Sequence, residues 1–197
     1  GSILLNGRVV VPNAGQDLVV APVDGRIESL LVNPGQQVRA GQPLARIHSA
    51  ELLSMQRALI AARARAEAAS IRAQRDEQLL AAGIIARNRV EDSRTLRTES
   101  EAQLREQVQL LQLAGMPAAA VERLRDAADI DPLLTVAARR DGHVLQQMAG
   151  PGEAIQAGTA VLRLARLDSL WVELQATREQ GLRISEGDPV RVTGCDS

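Results

Sequence analysis

The sequence predicts an α+β fold in which one small β-sandwich is built from two half-motifs and split by a long helical coiled-coil hairpin. The stretch APVDGRIESLLVNPGQQVRAGQPLARI, residues 21–47, aligns without a gap with ARRDGHVLQQMAGPGEAIQAGTAVLRL, residues 138–164. Ala21, Asp24, Gly25, Pro34, Gly35, Ala40, Gly41 and Arg46 fall on Ala138, Asp141, Gly142, Pro151, Gly152, Ala157, Gly158 and Arg163. Between the copies, residues 51–82 and 84–114 contain neither Gly nor Pro, as two long helices require. The chain has no Phe, no Tyr and one Trp, Trp171, so any core is aliphatic.

Each copy reads as short strands punctuated by turns. GRIESLLV sets apolar Ile27, Leu30 and Val32 among polar residues, NPGQ and RAGQ supply turns, and PLARI follows as a strand. The second copy repeats this order with GHVLQQMA, GPGE, QAGT and AVLRL. A single unit has one half-buried sheet and nothing to cover it, so two units packed face to face are expected.

Ser49 suits the N-cap of the first helix, and Gly83 suits its C-terminal end. Asn88 followed by Glu91 has capping-box spacing for the second helix. A seven-residue repeat runs through Leu52, Met55, Leu59, Ala62, Ala66, Ala69, Ala73 and Leu80, with Asp76 reading as a break. Val90, Leu96, Leu104, Val108 and Leu111 form a weaker seam opposite. Helices of thirty-odd residues are rods of about 45 Å, too long for a small sandwich to bury. Gly115 and Pro117 break the chain, a short helix is expected to about Ala128, and Asp131 and Pro132 end it. By itself this hairpin could be a coiled-coil spacer.

Composition excludes several function classes. A formal net charge of −1 gives no broad field for nucleic acid, and aromatic platforms for single strands are missing. All 23 basic residues are Arg, a bias that a GC-rich genome explains, and without Lys neither Schiff-base chemistry nor a Lys-linked prosthetic group is possible. Cys195 is alone and cannot form an internal disulfide. No apolar run is long enough to span a bilayer, no signal sequence opens the chain, and the initial Gly-Ser pair reads as an expression scar. No nucleophile and base pair, phosphate-cradling loop or ligand cluster is evident, so no catalytic, cofactor or metal site is assigned. His48 and His143 fall near the hairpin base and could approach each other, but two His fall short of a structural zinc site. Met55, Met116 and Met148 are spread in a way that favours core packing over Cu(I) binding. Glu91 with Asp92 reads as a helix-start charge preference.

The glycine-bearing turns resemble the half-motif of the lipoyl/biotinyl carrier fold, whose modified lysine is absent here. The order of half-sandwich, long hairpin and half-sandwich resembles the membrane fusion proteins, periplasmic adaptors of tripartite efflux and type I secretion systems. The stretch LARLDSLWVELQATREQGLRISEGDPVRV, ending at Val192, is similar to that family's passage into a β-barrel domain, and LLNGRVVV would supply the barrel's N-terminal strand. With LLQLAGMP after the second helix, this junction is most similar to the heavy-metal RND adaptor subgroup. The implied organisation is a partial-barrel strand in 1–20, half-motifs at 21–48 and 131–167, a hairpin with short third helix at 49–130, and a truncated barrel segment at 168–197. The chain would therefore be truncated at both ends.

The resemblance implies an adaptor, not an enzyme, in the periplasm and anchored to or associated with the inner membrane. It would join an inner-membrane pump to a trimeric outer-membrane channel, as a homo-oligomer that is hexameric in the complex. RND-type adaptors meet the channel through Arg, three residues, Leu, six residues and Ser at the hairpin tip. Arg75 and Leu79 match, Ala86 stands where Ser would donate a hydroxyl, and Gly83 and Ile84 lie in the turn. Spacing alone fits a solvated Arg75 and seam packing by Leu79 better, and it is the family resemblance that favours the contact. A drug-efflux or type I secretion adaptor is the alternative within the family. A periplasmic metal-binding module delivering ions to a pump is the alternative from another class.

Overall fold

The structure is a computed structural model that describes residues 5–10, 12, 15–167 and 170–192. Cys195, the initial Gly-Ser pair and the start of the proposed barrel segment at Asp168 lie outside the described residues. Before the hairpin come β1 (Asn6–Val10), β2 (Gln16–Val20), β3 (Gly25–Leu30), β4 (Gln37–Val38) and β5 (Pro43–His48). The helical part holds α1 (Ala50–Ala81), α2 (Arg87–Leu113), α3 (Ala118–Arg123) and a 3-10 turn, Ala127–Asp129. After it come β6 (Leu133–Ala137), β7 (Gly142–Gln147), β8 (Ala154–Ile155), β9 (Ala160–Ala165), β10 (Trp171–Gln175) and α4 (Arg178–Gly181). The chain divides into a larger unit, Asp17–Ala165, and a smaller unit from Gly1–Gln16 and Arg166–Ser197.

The larger unit contains two four-stranded sheets, ordered β2-β9-β7-β4 and β6-β5-β3-β8. The halves interlock beyond simple face-to-face packing, because each sheet takes two strands from each half: β4 pairs with β7, and β8 with β3. Residues 17–20, grouped by the sequence reading with the preceding segment, belong to β2 and lie beside β9. The contacts that join the halves occur twice. Asp24 Oδ1 accepts from the Ala157 N–H at 2.8 Å, and Asp141 Oδ1 from the Ala40 N–H at 2.7 Å. Gly152 N–H donates to Ile27 C=O, and Gly35 N–H to Val144 C=O, each at 2.7 Å.

The spacing of Ile27 and Leu30 does not fit strict alternation, and the ladder shows why. A register shift between Ile27 and Ser29, repeated between Val144 and Gln146, is a β-bulge that returns Leu30 toward the core side. Gly25 is required by space, since a Cβ there would stand 2.5 Å from the His48 carbonyl oxygen. Ile27, Val32, Val38, Leu44, Ile47, Val144, Ile155, Val161, Leu162 and Leu164 fill the aliphatic core.

α1 and α2 form the expected hairpin of 32 and 27 residues. Its seam differs in detail. Asp76 does not break the repeat but continues it, buried in line with Ala62, Ala66, Ala69 and Ala73. Gln56, rather than Met55, is the fully buried residue near the base. On α2 the buried positions are Val90, Ser93, Ser100 and Leu111, while Leu96 is 40% exposed. Alanine facing serine leaves little side-chain bulk between the helices, which permits close approach. The serines bond back into their own helix, Ser93 to Val90 C=O and Ser100 to Leu96 C=O, so their hydroxyls are satisfied. α2 begins at Arg87 with no side-chain cap. Asn88 lies inside it and accepts from the Arg89 N–H, so the expected capping box does not form. The short helix expected to reach Ala128 stops at Arg123, because Asp126 starts a separate 3-10 turn through a capping box with Asp129. Met55 and Met116 pack partly against the core, whereas Met148 is 40% exposed.

In the smaller unit β1 and β10 pair antiparallel, from Asn6 opposite Gln175 to Val10 opposite Trp171. The N-terminal strand thus meets the strand that Trp171 opens. Thr177 and Gln180 form a capping box at α4.

Candidate functional site

The hairpin tip is built by the way α1 stops. Gly83 adopts φ +69, where a side chain is strained, and a Cβ there would meet nothing within 4 Å, so the conformation rather than space selects glycine. Gly83 N–H donates to Leu80 C=O and Ile84 N–H to Leu79 C=O, both at 2.9 Å, closing a Schellman motif. Ala86 then runs extended and α2 begins. Leu79, Gly83, Ile84 and Ala86 are therefore gathered at one turn. Ile84 is 67% exposed at its apex, Leu79 is half-buried, and Gly83 and Ala86 are exposed. Arg75 stands apart, exposed on α1 about 12 Å of helix axis before Gly83.

Two turns below the tip the charges are asymmetric. The Asp76 side chain is 3% exposed, its Oδ1 lies 3.6 Å from Arg89 Nε, and its Oδ2 has no hydrogen-bond partner. That separation exceeds hydrogen-bond length. The half-buried neighbour Glu77 pairs with Arg94 at 2.8 Å. Asp76 was legible only as an interruption, because a charged residue in a heptad ordinarily marks its end.

The root of the arm is fastened to the sandwich by contacts that left little local signal. Buried Gln56 donates to Asp131 C=O at 2.7 Å and accepts from Asp131 N–H at 2.9 Å. Ser49 caps α1 by accepting from the Leu52 N–H at 3.1 Å, while its own N–H donates to Pro132 C=O at 2.9 Å. A Cβ on Gly115, where α2 ends, would stand 3.3 Å from Pro22. Leu52, Leu59, Leu111, Val121 and Leu124 share one buried cluster with the sandwich core.

The two histidines do not meet in any strand pair. His48 lies opposite Arg26 and Leu133 in one sheet, and His143 opposite Gln37 and Ala165 in the other. Among the described residues no group of three or more His, Cys, Asp or Glu is placed to hold a metal ion. No helix of the described residues is long and apolar enough to cross a membrane.

A split sandwich carrying a rooted helical arm defines the barrel-sandwich hybrid class of domain. The family model for the CzcB-like, barrel-sandwich hybrid domain matches residues 16–166, and the chain belongs to that family. The cobalt-zinc-cadmium resistance protein CzcB of Cupriavidus metallidurans is 26% identical over 179 residues, covering 91% of this chain and 33% of its own length. The chain thus spans about a third of the length of that curated relative. Among solved structures, ZneB from Cupriavidus metallidurans has TM-score 0.64 at 22% identity, over 91% of this chain and 72% of that one. A membrane fusion protein of Streptococcus pneumoniae has TM-score 0.57 at 19% identity, over 93% and 74%. At these identities the structural likeness concerns the fold.

Proposed function

We propose that this chain is the arm-bearing part of a periplasmic adaptor that links an inner-membrane RND pump to a trimeric outer-membrane channel for export of heavy-metal cations. The observation that carries this reading is a long, rooted hairpin that ends in an exposed aliphatic apex, Ile84. Membership of the CzcB-like family and the name of its cobalt-zinc-cadmium resistance relative support the class of cargo. The role is mechanical. Arg75, Leu79, Gly83, Ile84 and Ala86 form the channel-facing end, with Ile84 as its apolar contact and Arg75 as its charged flank. Ala86 brings no hydroxyl, so the contact relies on shape and apolar area.

The test is Ile84→Asp in the full-length protein in its host. Because Ile84 is mostly solvated, the change should alter stability by no more than about 0.5 kcal/mol. Zinc, cobalt and cadmium resistance should nevertheless fall to the level of a strain lacking the gene. Normal resistance at normal protein level would remove the tip from the function.

A further inference from the structure

We propose that the cleft between α2 and α3 at the root of the arm is a docking site for an acidic peptide segment of a partner protein. The cleft is an open groove of about 630 Å³, lined by Arg63, Arg105 and Arg125 against a single carboxylate, Glu122. None of the three arginines takes part in an ion pair among the described residues. Arg63 is held by backbone instead. Its Nη1 donates to Glu122 C=O at 3.2 Å and Leu124 C=O at 2.8 Å, which fixes the guanidinium while leaving its charge unneutralised by a carboxylate. The nearby Asp129 carboxylate accepts from the N–H groups of Arg125 and Asp126 and is committed to that turn.

The floor identifies the occupant. Leu104 and Val108 line the cleft and pack, partly buried, against the core, which gives the cleft an aliphatic floor. Gln109 and Gln112 add amide groups that can pair with an extended backbone. Aliphatic floor, cationic rim and amides together match a peptide that alternates acidic and aliphatic side chains. The volume is far larger than an inorganic anion needs. Nucleic acid is a poor fit, because the chain's one aromatic residue, Trp171, lies in the other unit. This site is separate from the tip and does not depend on the adaptor reading.

The test titrates the whole chain with a blocked peptide of sequence Glu-Leu-Glu-Leu-Glu, using Lys-Leu-Lys-Leu-Lys and inorganic phosphate as comparisons, and follows binding by calorimetry. The acidic peptide should bind, and binding should weaken at least about tenfold in the double variant Arg105→Glu, Arg125→Glu. It should also weaken as salt rises from about 0.05 to about 0.3 M. Both substituted residues are exposed, so the circular dichroism spectrum should be unchanged. Arg87→Glu at the tip should bind like the unmodified chain. Equal binding by the double variant, equal binding of the basic peptide, or no binding at millimolar peptide would overturn the site. Displacement by an equal concentration of phosphate would make it a general anion site and overturn the peptide assignment.

Discussion

Asp76 works against the stability of the seam it occupies. A buried polar group without a partner costs about 1–3 kcal/mol. Arg89, 3.6 Å away with its side chain 59% exposed, offsets little of that. A polar residue inside an apolar seam is known instead to fix helix register, and at this height a slip would displace the tip turn. Asp76→Leu should therefore raise the urea midpoint, by about 1–3 kcal/mol of stability. Arg89→Ala should lower it by removing the nearest compensating charge. An unchanged or lower midpoint for Asp76→Leu would show that the carboxylate is satisfied in solution. Asp129 has the opposite character. The N–H groups of Arg125 and Asp126 hold its carboxyl below the usual carboxylate range. A depressed value means stability that is present above the ordinary carboxylate pKa and is lost as pH falls through the lowered one. Asp129→Asn should thus melt earlier than the unmodified chain near pH 7, and the difference should close as pH falls through the lowered carboxyl value. A gap that persists in acid would mean that shape, not charge, holds the turn.

At the scale of elements, Asp24 and Asp141 perform one job twice, each accepting from a backbone N–H in the other half. Asp24→Ala and Asp141→Ala should each cost about 1 kcal/mol, and the double variant close to the sum. Markedly unequal losses in chemical denaturation would show that the two halves are not energetically equivalent. The half-motifs were legible because Gly35 and Gly41 meet local positive-φ turn demands, while Asp24 and Gly25 recur because each half makes the same tertiary contacts. The exchange of β4 and β8 was not, since pairing between strands so distant in the chain leaves no local period. The start of α2 was misread because Asn88 and Glu91 have capping spacing, yet the tight exit from α1 lets the next helix begin at Arg87. Serines 93 and 100 share a seven-residue spacing with Ala66 and Ala73. Periodicity could have found them had small polar residues been admitted to the seam.

For the whole larger unit, the arm and the sandwich are one mechanical body. Leu52, Leu59, Leu111, Val121 and Leu124 are buried in the same cluster as the sheets, and Gln56 clamps Asp131 by two hydrogen bonds. The rooting leaves little trace in the sequence, because the repeat ignores the insertion and the root contacts come from residues scattered over both helices. A rooted arm of about 48 Å, at 1.5 Å per residue, can hold its apex at a fixed place above the sandwich. That is what an adaptor needs, and it puts the contact with the channel at the apex. The most direct measurement is photo-crosslinking in cells from a photoreactive residue placed at Ile84 in the full-length protein, with adducts identified by mass spectrometry. The account predicts that the principal adduct is an outer-membrane channel protein. Crosslinking only to other copies of the adaptor, with a channel adduct arising instead from positions on the sandwich, would contradict it.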